Sequence, residues 1–281
     1  MRKLATALGI AGALLVSQAN AAPIFTLTGG FTGDVVIKLQ NFESFTGALA
    51  PGSENFGILR ITSIEAADAS GPVWLHGQNG AEITGIFRDI IVVSTTPVGP
   101  ALNVKSTGGL LDLFINPVGS FAAAGGAGQG IGGYAAAGGG CVAASTAPCY
   151  NGISNAPGGG AFLSLQWNSG VDPLNPLIFI DGDFDFATFP STGDAAGFLD
   201  VTGGPFAGLF DTNGQITPFG PRDVFAQNDF CPNGTLTCGT VGDWQLLSDD
   251  PVRARIPQPS TLALLGIALI GLAGLRRKIA A

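Results

Sequence analysis

Apolar residues recur at every second position in short runs along this chain, and each run stops at Gly, Pro, Asn or Asp. Alternation of this kind marks strands with one buried face, because successive side chains of an extended backbone point to opposite sides. It predicts strands over 34–39, 56–64, 81–94, 110–115, 161–167, 177–187 and 244–247. Val, Ile, Thr and Phe concentrate in these runs, while 44 Gly and 18 Pro supply the turns between them. The predicted class is all-β, with a β-sandwich or jelly-roll-like body as the expected architecture.

Two stretches break the alternation, one at each end. Near the N-terminus Arg2 and Lys3 precede an apolar run from Leu4 to Val16, which closes on Ala19-Asn20-Ala21. A basic flank, an apolar segment and small residues at Ala19 and Ala21 make a signal helix over 1–21, cut by signal peptidase after Ala21. Near the C-terminus Pro257-Gln258-Pro259 precedes a hydrophobic helix over 262–275, and Arg276, Arg277 and Lys278 follow as a basic stop. That helix reaches about 21 Å at about 1.5 Å per residue. The hydrocarbon core is roughly 30 Å thick, so the segment suits a transient anchor in the inner membrane. The basic stop belongs on the cytoplasmic side, which places the body of the chain beyond the membrane.

Ile256-Pro257-Gln258-Pro259-Ser260-Thr261, followed by a Gly-containing apolar run and Arg276-Arg277-Lys278, resembles the PEP-CTERM sorting signal. Gln258 stands where that family usually has Glu. The resemblance covers 256–281 and implies an exosortase-like processing enzyme in a Gram-negative bacterium. It further implies export, transient anchoring and release to the cell surface or the extracellular space, typically where exopolysaccharide is made.

Between the ends, 22–255 form the exported body, read as one domain. All 20 acidic residues lie in this body, whereas five of the 12 basic ones sit in the end segments. So acidic a surface excludes nucleic acid and anionic lipid as partners, since both select positive potential. Residues 113–171 contain no Asp, Glu, Lys or Arg, and 118–160 are dominated by Gly and Ala. A segment with little apolar area to bury per ordered residue is expected to be a surface loop insertion.

Four cysteines fall into two close pairs, Cys141 with Cys149 and Cys231 with Cys238. In an exported protein these are disulfide candidates, and neither pair has the Cys-x-x-Cys spacing of a zinc site. In Ile180-Asp181-Gly182-Asp183-Phe184-Asp185-Phe186 the three carboxylates share one face of an extended strand and the apolar residues the other. Asp181, Asp183 and Asp185 thus read either as the solvated face of a half-buried strand or as ligands of a Ca²⁺ ion, aided by Asp172 or Asp194. The EF-hand pattern fails, with Phe186 and Thr192 where Gly and Glu are required.

His76 is the sole histidine, no Gly-x-Ser-x-Gly elbow occurs, and no catalytic residue is assigned. Trp74, Trp167 and Trp244 read as core residues or as a sugar-stacking platform. The expected function is that of a non-enzymatic surface or matrix protein associated with exopolysaccharide, biofilm or aggregates. The alternatives are a calcium-dependent carbohydrate-binding module and a secreted glycosidase.

Overall fold

Each alternating run pairs with the next as an antiparallel neighbour, and the last run returns to the first. A computed structural model describes residues 27, 30–119, 121, 161–185, 192–232 and 244–257. The strands are β1 (Gly33–Phe45), β2 (Glu54–Ala66), β3 (Pro72–Leu75), β4 (Ala81–Val98), β5 (Ala101–Pro117), β6 (Leu163–Asn168), β7 (Ile180–Asp185), β8 (Thr192–Gly203), β9 (Gln215–Thr217), β10 (Gly220–Arg222), β11 (Val224–Pro232) and β12 (Leu246–Ile256). The main sheet runs β1-β12-β11-β8-β6-β5-β4-β2, and β1 also pairs with β2, so the sheet closes on itself. Both β6 and β7 lie between β5 and β8, at different heights, and together act as one interrupted strand. The result is an up-and-down antiparallel barrel with eight strand positions. Strand β3 extends the sheet beside β2, and β9 with β10 forms a separate ribbon.

The all-β class is as expected, whereas the layering differs from a sandwich or jelly roll. The reason is the seam: β1 and β12 pair along their length, from Gly33↔Ile256 to Glu43↔Leu246, and this closure removes the pair of edges that would divide two sheets. Inward positions of β1 are Val35, Ile37, Leu39, Asn41, Glu43 and Phe45, while Asp34, Lys38 and Gln40 point outward. With Arg60, Arg88, Asp112 and Asp181 also outside, the wall carries charged positions where a lipid-facing barrel would have an apolar band. Leu59, Ile61, Ile83, Phe87, Leu113, Leu163, Leu165 and Leu199 complete the buried interior. The short helix Ala207–Phe210 caps the end at which β1 starts and β12 stops, with Phe210 buried in the core.

A second apolar cluster lies on the outer wall, where Phe42, Phe56, Ile58, Ile86 and Phe114 are covered by Trp244, Leu247 and Phe121. Phe121 stacks 5.7 Å from Phe42, with the Arg60 guanidinium 5.2 Å from its ring centre. The Gly/Ala-rich insertion starts here. Its first residues are pinned by Glu82, buried at 1 % exposure, whose carboxylate accepts the backbone N–H groups of Phe121 (2.5 Å) and Gly119 (3.2 Å). His76 Nε2 lies 3.1 Å from the same carboxylate, which makes His76 part of a structural cluster. Residues 122–160, the signal segment 1–21, the hydrophobic helix 262–275 and the basic stop lie outside the described residues.

Trp74 and Trp244 are almost fully buried, at 0 % and 2 % exposure, and Trp167 lines the barrel interior. The sugar-stacking platform therefore does not form from these three. Ile256, expected to open the sorting tail, is also the last residue of β12 and a core residue at 2 % exposure.

Candidate functional site

Strand β7 has the two faces its alternation predicts. Ile180 and Phe184 line the interior, and Asp181 and Asp183 face outward, Asp183 opposite Asp194 of β8. The acids are met by neighbours on β5: Asn103 Nδ2 donates to Asp181 (2.7 Å) and Asp183 (3.0 Å), and Lys105 Nζ lies 3.6 Å from Asp181 and 2.6 Å from Asp172. Hydrogen bonding to Lys105 holds the Asp172 carboxyl below the usual range. Asp194 sits in register between Asp183 and Asp229, and its carboxyl is raised by burial, then by the charges of Asp183, Asp229 and Asp181. Among the described residues no three His, Cys, Asp or Glu side chains converge as a metal site. The amide and ammonium donors already screen this face.

The barrel interior contains a cavity of about 140 Å³. Its wall is apolar over most of its length, through Leu39, Leu59, Phe87, Leu111, Leu165 and Trp167. At the end away from the capping helix the wall turns polar: Asn41, Glu43 and Asn55 face inward and are buried. Asn55 Nδ2 donates to Glu43 Oε2 at 2.9 Å, and Asn41 Nδ2 approaches Oε1 at 3.4 Å. Burial raises the Glu43 carboxyl to about 6, against the lowering effect of the Asn55 hydrogen bond. Among the described residues Asn41 Oδ1 has no hydrogen-bond partner. Phe45, Phe184 and Phe230 close the interior beyond this polar end, with Phe184 4.5 Å from Phe230 and 6.4 Å from Phe45.

Sequence reasoning missed this polar group, although a signal for it was present. In β1 the residues Asn41 and Glu43 continue the inward phase of Val35, Ile37 and Leu39, so two polar side chains stand where the pattern demands apolar ones. A break in phase that leaves the strand intact marks either a buried network or a binding position.

Of the other expected site residues, Cys231 lies in β11 and is disulfide-bonded, with its partner outside the described residues. Ala19, Ala21, Cys141, Cys149, Cys238, Gln258, Pro259, Arg276, Arg277 and Lys278 also lie outside them. Pro257 is exposed and follows directly on β12.

Residues 255–278 match the PEP-CTERM protein-sorting motif. The motif implies export, recognition by an exosortase and membrane-anchored sorting followed by display at the cell surface. No curated protein and no solved structure matches the chain. No helix among the described residues is long and apolar enough to cross a membrane, and these exclude the hydrophobic segment of the motif.

Proposed function

We propose that the chain is a non-enzymatic surface protein, delivered by exosortase sorting, whose acidic barrel is retained with exopolysaccharide and contributes to the cohesion of cell aggregates or biofilm. The observation that carries this reading is the placement of the motif: its match begins at Arg255, inside the strand that closes the barrel. The folded body therefore leads straight into the sorting segment, with no spacer domain between them. The polar outer wall supports a water-exposed destination. Glycosidase chemistry needs two opposed carboxyl groups, and Glu43 is the one acid among the described residues that lines the cavity.

Cell fractionation with intact-mass measurement tests the reading. The exported protein is expected to begin at Ala22 and to end beyond Ile256 but before Ala281, and to co-fractionate with exopolysaccharide until the polymer is enzymatically degraded. A surface form still ending at Ala281 refutes processing. A form whose location ignores the polymer refutes retention.

A further inference from the structure

Eight-stranded barrels have an interior just wide enough to be filled by side chains or to hold one small ligand. Two facts place this barrel in the second group. The void of about 140 Å³ approaches the roughly 150 Å³ that accommodates a benzene-sized molecule in a protein core. The polar end of that void is short of donors: among the described residues Asn41, 4 % exposed, has an unpartnered Oδ1, and the Glu43 carboxylate is met only by the side-chain amides of Asn41 and Asn55. A buried carbonyl oxygen without a partner costs about 1–3 kcal/mol. An ionised carboxylate in an apolar enclosure is costlier still unless a cation or further donors meet it. Both deficits are removed by one group, a multi-donor cation at the polar end.

We propose that the barrel interior is a binding site for a small amphiphilic amine, its ammonium group on Asn41 Oδ1 and Glu43 and its apolar body along Leu39, Leu59, Leu165 and Trp167. An ammonium carries three donors and no acceptor, which suits the open Asn41 Oδ1 and the Glu43 carboxylate together. The apolar body is limited to roughly the bulk of one six-membered ring by the void. Neutral alcohols offer one donor and no charge, and acids would repel Glu43. The sorting reading is independent of this site, since the cavity is a property of the folded barrel whatever its destination.

The exported protein, purified as the host leaves it, is titrated at neutral pH with benzylamine and, separately, with toluene as the same body without the head. Calorimetry reports stoichiometry, and Trp167 emission reports occupancy of the cavity. Saturable one-to-one binding of benzylamine is expected, about tenfold tighter than toluene, with a change in emission that Trp167→Phe abolishes. Glu43→Gln keeps the size and the acceptor oxygen but removes the charge, and is expected to weaken benzylamine about tenfold while leaving toluene unchanged. Ala226→Leu fills the wall of the cavity and is expected to abolish both. No saturable binding to the native protein overturns the proposal. Equal affinities for amine and toluene, or amine binding that survives Glu43→Gln undiminished, overturn the assignment of the head group. Should Ala226→Leu fail to fold, as shown by its melting curve, the Glu43→Gln titrations decide alone.

Discussion

Glu43 and Glu82 are both buried carboxylates in the wall of one barrel, and their surroundings give them opposite roles. Glu43 faces inward, where burial dominates and its carboxyl is raised from 4.5 to about 6. A group whose folded value is raised binds protons more readily in the native state, so its favourable contribution is complete below pH 4.5 and is lost as pH climbs through 6. The loss amounts to about 2 kcal/mol, because each tenfold difference in proton affinity between the folded and unfolded chain is worth about 1.4 kcal/mol. Denaturant melts at pH 4.5 and 7.5 are expected to show this decline in the native protein and its absence in Glu43→Gln. Glu82 faces outward and accepts from the Gly119 and Phe121 N–H groups, with His76 beside it. Glu82→Ala removes the acceptor shared by these half-buried and exposed donors, and is expected to cost about 1–2 kcal/mol. Limited proteolysis near residues 119–121 should accelerate in parallel.

The strands differ in how openly their residues announce them. Strands β1, β2, β4 and β5 were legible because Val, Ile, Leu and Phe alternate with polar residues. β8 was not, since the first three of its inward positions are Gly193, Ala195 and Gly197, small residues that read as turn or linker ahead of Leu199. They are small because rings fill the space opposite: a Cβ on Gly193 would strike Phe230, and one on Gly197 would lie 2.9 Å from Trp167 Cδ1. β12 was hidden by Pro251 and by Arg253 and Arg255, although Val252, Ala254 and Ile256 keep the inward phase. The acidic face of β7 was legible from period two alone. Its neighbours were not, because Asn103 and Lys105 reach it through pairings far apart in the chain.

Close packing also sets the tolerance of the clear strands. A Cβ on Gly57 of β2 would collide with the Phe42 carbonyl and the Phe87 ring. Gly57→Ala is accordingly expected to destabilise by about 1–3 kcal/mol in thermal or chemical melts. On the outer wall Asp194 stands directly opposite Asp183 and Asp229. Like charges opposed across strands are unfavourable by about 0.2–1 kcal/mol, so Asp194→Asn is expected to raise the melting temperature slightly. Millimolar calcium should produce a rise in the native protein only if an ion is held there, and an unchanged melt dismisses calcium at this face.

At the scale of the molecule, the closed ring explains why the described strands do not divide into the two sheets of a sandwich. Ring closure depends on the last strand pairing with the first, a contact between positions more than two hundred residues apart, which no local pattern encodes. Removal of 253–281 takes away the lower part of the seam, including Ala254 and Ile256. The product is expected to lose its cooperative melting transition, whereas a chain ending after Pro257 should retain it.

The pairing of Gly33 with Ile256 also decides how the protein bears load. The first strand among the described residues and the start of the sorting motif meet at one end of the barrel, so any pull through the anchored tail acts along the axis of β12. Hydrogen bonds of an antiparallel pair lie across that axis. Tension from the membrane is therefore shared at once by the β12 pairings with β1 and β11, in shear, instead of opening them one after another. While it is tethered, the protein meets drag on the cell surface through the seam that closes its barrel.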